Sequence, residues 1–460
     1  VEGARTYPST ALANDDDRGS VIPGGRLGRF ARLAAVGVRA GAGALLDRDG
    51  TGTASAAAEV LGTLRGLAAK VGQMASYVDG VVPEGQRAAY EASMKMLQAN
   101  APKSSPAAIR ALVVEELGKP IDELFADWTD EPLASASIGQ VHVARLHDGR
   151  DVAVKVQHPG IARAVESDLA NAGMLEGIVG SLGGKRFETK KMLAVVRERF
   201  REELDYTLEA SRLELFATLH AGDATVLVPS FMASHSSKRV LTTGLARGLT
   251  FDEACAATVD ERRAWAETMW RFVFKGTLVG GLLNADPHPG NYVFHEGGRV
   301  TFLDYGCVQP LDERRRGLAR TTHAAALARD EAAFRRAVAA MVSSRPGALE
   351  ELAVDYTRRC FEPLFGSPYR VTKPFAASLF DGMKDMGMAA RKVKDEEFFA
   401  MPPDMLFVNR LQFGFYSVLA RLDVEVDYAR VERGFMSQSQ SSSGEMPEVA
   451  HGSPASGSDS

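Results

Sequence analysis

The chain has 460 residues, enough for two or three hydrophobic cores. A formal net charge of -5 leaves no basic footprint for nucleic acid, and 45% hydrophobic with 25% charged residues is ordinary globular composition. Three widely separated cysteines, Cys255, Cys307 and Cys360, lack metal-ligand spacing and read as reduced thiols rather than a disulfide frame.

Residues 1–25 are polar and rich in Gly and Pro, and read as a disordered arm. The apolar stretch 30–46 is short and broken by Arg32 and Arg39, so no spanning helix is expected. Asp15-Asp16-Asp17 argues against a mitochondrial transit peptide, and a cytoplasmic or peripheral membrane protein is the expectation. From residue 26 to 125 the pattern is helical. Leu61, Leu64, Leu67, Val71, Met74 and Val78 form one apolar face, a second helix is expected over 84–100, and a third runs from Ser105-Pro106 to Leu117, stopped by Gly118.

The character changes at Glu131. Val141 to Leu146 and Asp151 to Val156 flank His147-Asp148-Gly149-Arg150 and predict a β-hairpin. Helix is expected over 161–179, a loop over 180–185, and one long helix over 188–220. Short strands follow at 226–229 and 239–242. Beyond Thr250 the pattern is helical apart from a second hairpin: Tyr292-Val293-Phe294, a turn at Glu296-Gly297-Gly298, then Val300 to Leu303. After Met436 the Ser/Gly-rich remainder, 437–460, reads as a disordered tail.

Chemistry concentrates around this second hairpin. Asp286 and Asn291 in Asn284-Ala285-Asp286-Pro287-His288-Pro289-Gly290-Asn291 have the Asp-to-Asn interval of a kinase catalytic loop. Asp304-Tyr305-Gly306 stands where such enzymes carry D-F-G. Phosphoryl transfer needs one Asp to orient the acceptor, and an Asn and a second Asp to hold magnesium against the phosphates. Upstream, Val152-Ala153-Val154-Lys155 matches the strand that supplies a phosphate-binding lysine. Alternation puts Ala153 and Lys155 on one face and the valines on the other. Glu209 is the expected partner of Lys155, with Asp205 on the same helical stripe and Glu203 turned elsewhere. In place of a glycine-rich loop stand Ala134, Ser135, Ala136 and Ser137, small but stiffer residues that should hold nucleotide differently. Gly183-Gly184-Lys185 lacks the rest of a P-loop and is set aside.

These motifs, with Lys70-Val71-Gly72-Gln73 upstream and Glu203-Leu204-Asp205 in the long helix, resemble the UbiB (AarF/ADCK-type) family of atypical kinases over about 27–432. The resemblance implies an α+β, bilobal protein kinase-like fold with an N-terminal helical extension. The extension would cover 26–125, the N-lobe 126–245 and the helical C-lobe 246–436. It implies ATP and Mg2+ as cofactors and an isoprenoid lipid precursor or quinone-biosynthesis enzymes as partners, with peripheral membrane contact. Lys70 and Gln73 would lie over the substrate entrance, near Glu203 or Asp205, as regulatory residues. Thr243 and Leu245 of the hinge would meet adenine through their backbone, although the acidic residue common in that hinge is missing. Asn284-Ala285 also departs from the family's usual His or Thr before the catalytic Asp. The leading reading is a magnesium-dependent ATPase or atypical kinase. A nucleotide-gated pseudokinase scaffold is the alternative. The absence of an A-P-E and of a long activation segment after Gly306 disfavours a conventional protein kinase.

Overall fold

A computed structural model describes residues 103–441 apart from 137, 168–188, 391, 394–397 and 399–404. The expected arm, the helices over 61–78 and 84–100, Lys70, Gln73, Ser137 and Gly183-Gly184-Lys185 lie outside the described residues.

The first helix, α1 (Pro106–Leu117), begins and ends where the sequence places it. Ser105 accepts from the Ala108 amide, Pro106 opens the first turn, and Gly118 closes the helix at φ 71° by donating to the Val114 carbonyl. Its buried face, Ile109, Leu112 and Val113, packs against Val152, Val154 and Val156 of a sheet. The end of the span assigned to a separate extension is therefore the roof of the sheet lobe.

That sheet is antiparallel throughout. Strands β1 (Asp127–Trp128) and β2 (Ala134–Ser135) both pair with β3 (Gly139–Arg145), which pairs with β4 (Asp151–Gln157). The β3–β4 hairpin closes in the register Arg145↔Asp151, with Gly149 at φ 90° in its turn. After β5 (Val226–Leu227), β6 (Val240–Gly244) takes the free edge of β4, with Leu241 opposite Lys155.

The long helix expected over 188–220 is two helices, α2 (Thr189–Glu202) and α3 (Tyr206–Leu219). Asp205 is extended (φ -125°, ψ 93°) and caps α3 by accepting from the Thr207 amide, so it does not share a helical stripe with Glu209. The break is satisfied from outside the helix: Gln157 Nε2 donates to the Leu204 carbonyl, and the Tyr206 amide donates to the carbonyl of Lys238. Helix α3 then joins the lobes. Tyr206 and Ala210 pack with Ile138, Ile161 and Leu241, whereas Leu213 and Phe216 enter the core of the helical lobe.

In the helical lobe, α4 (Val259–Leu278) starts at a Thr258/Glu261 capping box and buries Trp265, Trp270 and Phe272. Short strands lie against it. Strand β7 (Leu282–Asn284) pairs with β10 (Val308–Pro310), and the hairpin β8 (Tyr292–Phe294) and β9 (Val300–Phe302) adds β5 in parallel. Phe302 stacks on Phe272 with ring centroids 3.6 Å apart, fixing the hairpin to α4. The lobe is completed by α5 (Glu313–Ala328), α6 (Glu331–Val342), α7 (Ala348–Cys360), α8 (Lys373–Ala390), α9 (Met405–Leu422) and α10 (Tyr428–Ser441). Helix α10 crosses the expected start of the tail at 437. All three cysteines are free thiols, and no helix among the described residues is long and apolar enough to cross a membrane.

Candidate active site

The hairpin and the β7–β10 pair assemble the acidic half of the site. The Leu303 amide donates to the Asn291 carbonyl and the Ala285 amide to the Cys307 carbonyl, so the ends of both motifs are clamped together. Asn291 Nδ2 lies 3.1 Å from the Asp286 carbonyl and 3.4 Å from Oδ2. Asp304 Oδ1 accepts from the Gly306 amide at 2.9 Å. Tyr305 is fully buried and donates its hydroxyl to the Phe302 carbonyl at 3.0 Å, a bond that suits Tyr in place of Phe here. Asp286, Asn291 and Asp304, with Pro287, Leu303 and Leu411, line a small pocket with room of about 10 Å3.

Lys155 spans the gap from the sheet. Burial alternates along β4, with the valines under α1 and Lys155 facing the interlobe cleft. Its Nζ lies 2.8 Å from both Glu209 oxygens and 3.5 Å from Asp304 Oδ2. Burial opposes the Lys155 charge, but the Asp304 and Glu209 carboxylates outweigh it and hold the ammonium protonated well above its ordinary range. The side chain keeps 24% exposure, so the ammonium is reachable from the cleft.

The structure brings together Lys155, Glu209, Asp286, Asn291 and Asp304. Of the remaining expectations, Ala134 and Ala136 are exposed at the mouth of the β2–β3 turn, and the half-buried Ser135 has a hydroxyl with no hydrogen-bond partner among the described residues. The turn is tight, with the Ala136 amide donating to the Gly139 carbonyl. Thr243 sits in β6 opposite Ala153, and the Leu245 amide donates to the Asp151 carbonyl, which commits that N–H to the sheet. Asp205 is a helix cap within 3.7 Å of Lys238. Glu203 lies close enough to Arg410 for its carboxylate to favour the guanidinium charge.

Several site residues escaped the sequence reading. Arg410 of α9 donates to Asp286 Oδ1 at 2.8 Å and lies 3.2 Å from Cys307 Sγ. Burial works against its charge, while Cys307, Asp286 and Glu203 together raise its pKa. Asn284, noted only as a departure, bridges the motifs: its Oδ1 accepts from the Asp286 amide at 3.2 Å and its Nδ2 donates to the Asp304 carbonyl at 3.0 Å. Glu202 at the end of α2 accepts from both Arg199 and Arg212, and Arg212 Nη1 donates to the Gly306 carbonyl at 2.9 Å. His158 holds the Ala136 carbonyl through Nε2 at 3.0 Å and meets Ser104 through Nδ1 at 2.9 Å. An Arg beside a lone Asp, far apart in sequence, leaves no local signal. The Asn284 side chain two residues before Asp286 was legible as an Asx-type contact.

Residues 96–338, more than half of the chain, match the model of the ABC1 atypical kinase-like domain. The chain is 36% identical over 244 residues to the uncharacterized protein Rv0647c of Mycobacterium tuberculosis, covering 51% of this chain and 49% of that protein. It is 30% identical over 324 residues to the atypical kinase COQ8B, mitochondrial, of Rattus norvegicus, covering 66% and 60%. Against AarF domain-containing protein kinase 1 of Mus musculus it is 32% identical over 259 residues, covering 54% and 48%. The chain thus spans about half the length of most of these curated relatives. Among solved structures, the Mycobacterium tuberculosis protein Rv3197, solved as a complex with erythromycin, superposes with a TM-score of 0.57 at 25% identity, covering 81% of this chain and 93% of that one. The fold is accordingly α+β and kinase-like, and the chain belongs to the UbiB family of atypical kinases.

Proposed function

We propose that this protein is a magnesium-dependent ATPase or atypical kinase whose reaction takes place between Lys155 and Asp286. The observation that carries the reading is the Lys155 ammonium held between Glu209 and Asp304, with Asp286 and Asn291 on the facing loop. Lys155 binds and orients the phosphates of ATP, while Glu209 fixes the direction of the ammonium. The donor set fits a hard cation: Asp304 offers carboxylate oxygens, and Asn291 has its Nδ2 committed to Asp286 and its Oδ1 left over. Bound Mg2+ supplies charge neutralisation on the phosphates. Asp286 Oδ1 takes the 2.8 Å bond from Arg410 and Oδ2 only the 3.4 Å contact from Asn291 Nδ2, so Oδ2 is the oxygen that orients a water or hydroxyl and takes its proton. Ser135 and the backbone around Ala134, Ala136 and Ser137 would close over the phosphates, with Thr243 and Leu245 beside adenine.

The physiological setting we propose is isoprenoid-quinone or other lipid metabolism at a membrane surface, with Lys70, Gln73, Glu203 and Asp205 as regulatory residues. Support comes from the family and from the motifs of this chain. The test is ATP turnover with and without Mg2+, anionic liposomes and a polyprenyl phenol, alongside Asp286→Asn and Asp304→Asn. Turnover that survives both substitutions refutes the assignment. One observation favours a second reading, a nucleotide-gated scaffold: Asp286 is already tied to Arg410. ATP-dependent thermal stabilisation without turnover would select it.

A further inference from the structure

Strand β4 serves the site with more than Lys155. Gln157 at its end closes the break before α3, and the next residue, His158, turns under the loop that stands in place of a glycine-rich one. His158 is 2% exposed. Its amide donates to the Ile138 carbonyl at 2.9 Å, and its Nε2 lies 3.0 Å from the Ala136 carbonyl. A carbonyl only accepts, so Nε2 carries a proton. In the neutral imidazole Nδ1 then accepts from the Ser104 hydroxyl at 2.9 Å.

The ring is held from behind by a continuous chain of hydrogen bonds. The Ser104 amide donates to Gln140 Oε1 at 2.9 Å, and Gln140 Nε2 lies 2.8 Å from His142 Nε2. His142 Nδ1 in turn lies 2.9 Å from the Thr129 carbonyl. Gln140 and His142 are fully buried, which leaves the His158 Nε2–H a single direction, toward Ala136. The loop is also fastened where it returns to the sheet. Ile138 packs with Tyr206, Ile161 and Leu241, and a Cβ on Gly139 would stand 2.5 Å from the Val156 carbonyl oxygen.

We propose that His158 is a positioning residue for phosphate binding: its Nε2–H fixes the Ala136 peptide, and with it the neighbouring Ser135 hydroxyl, where the phosphates are received. Ordering a loop when a ligand arrives lowers affinity, whereas a loop ordered already in the free protein does not. The assignment rests on the phosphoryl-transfer reading. It requires that the effect of His158 fall on ligands that carry phosphates and spare adenosine, which has none.

The experiment is calorimetric titration of the full chain with MgATP and with adenosine. His158→Leu weakens MgATP about tenfold, the scale of one hydrogen bond, and leaves adenosine within about twofold. His158→Gln, whose amide nitrogen takes the place of Nε2, brings MgATP back to within about threefold of wild type. Ser104→Ala weakens MgATP by a smaller factor and adds little to His158→Leu, because both act through one ring. MgATP and adenosine weakened alike would make His158 a support of the lobe only, and overturns the assignment. So does MgATP binding that neither His158→Leu nor Ser104→Ala moves. If His158→Leu does not melt cooperatively, Ser104→Ala and His158→Gln decide, and loss of MgATP binding with His158→Gln as deep as the loss of adenosine overturns it. A wild type that binds no MgATP refutes the nucleotide reading and the role in phosphate binding with it. Amide exchange at Ala136, whose N–H donates to Gly139, then tells whether the fastening itself is real: it accelerates in His158→Leu and not in His158→Gln, and equal rates overturn the fastening too.

Discussion

Gly414 of α9 sets two opposing effects against each other. It lies one turn beyond Arg410, and a Cβ built on it would stand 2.4 Å from Cγ of Pro287 in the catalytic loop. Helix propensity alone favours Gly414→Ala by about 0.5–1 kcal/mol. The contact opposes it. A carbon pair packs at roughly 3.5–4.0 Å, and a proline ring closed on its own backbone nitrogen can withdraw its Cγ only by a change of pucker. Overpacking of this kind costs about 1–3 kcal/mol, so the expected net effect is a loss centred near about 1 kcal/mol, within a span of about 0–2.5 kcal/mol. Relief must come from α9 or the loop moving, and either movement strains the 2.8 Å bond from Arg410 to Asp286. A displacement of about 1 Å at a reacting group is enough to lower turnover about 100-fold. Scanning calorimetry and MgATP turnover measure the two consequences. The control is Gly387→Ala in α8, whose Cβ would meet nothing within 4 Å and which should therefore raise the melting temperature. Were Gly414→Ala to melt as high as Gly387→Ala with unchanged turnover, the close approach of α9 to the catalytic loop would be refuted.

Lys155→Met leaves the 5%-exposed Glu209 without its partner, so it should cost about 3–5 kcal/mol of stability besides abolishing nucleotide binding. Adding Glu209→Gln should restore much of the melting temperature and none of the binding, and equal melts for the single and double variants would contradict the pairing. His220 stands between Phe216 and Phe272 with neither ring nitrogen hydrogen-bonded among the described residues, and burial, helped by the nearby Lys275 charge, lowers its pKa from 6.5 to about 3. Between those values only the unfolded chain binds the proton, so the stability present above pH 6.5 is lost as pH falls toward 3. The loss by pH 5 is about 2 kcal/mol. His220→Phe should therefore narrow the gap between melts at pH 7.5 and pH 5, and an unchanged gap would show that the imidazole is neutralised some other way. Glu202→Ala leaves the buried Arg212 guanidinium without its carboxylate and should loosen the segment after Asp304, seen as faster amide exchange at Gly306 and Cys307.

What was legible in the sequence, and what was not, divides by the range over which each signal acts. The β3–β4 hairpin, the caps of α1 and the β8–β9 hairpin rest on turns and alternation within a few residues, and they stand where the pattern puts them. The Asp286 to Asn291 interval and Asp304-Tyr305-Gly306 were readable because one short hairpin joins them. Glu209 was readable because helical spacing left few candidates to meet Lys155. The break before α3 was not, since apolar periodicity runs on through 188–220. What ends the helix is a pair of hydrogen bonds, from Gln157 of β4 and to Lys238 in the bend before β6. Arg410 lies 124 residues from Asp286 and, on an amphipathic helix, reads like any solvated arginine. The same holds for Glu202 and Arg212, whose charges meet only after the α2–α3 break has turned one helix against the other. The residues proposed to act on phosphate are thus set by short spacings, whereas those that hold them in place come from the tertiary fold. That division makes Arg410 and Gly414 the sharper tests of this site: substituting them leaves every recognisable motif intact and changes only how the motif is held.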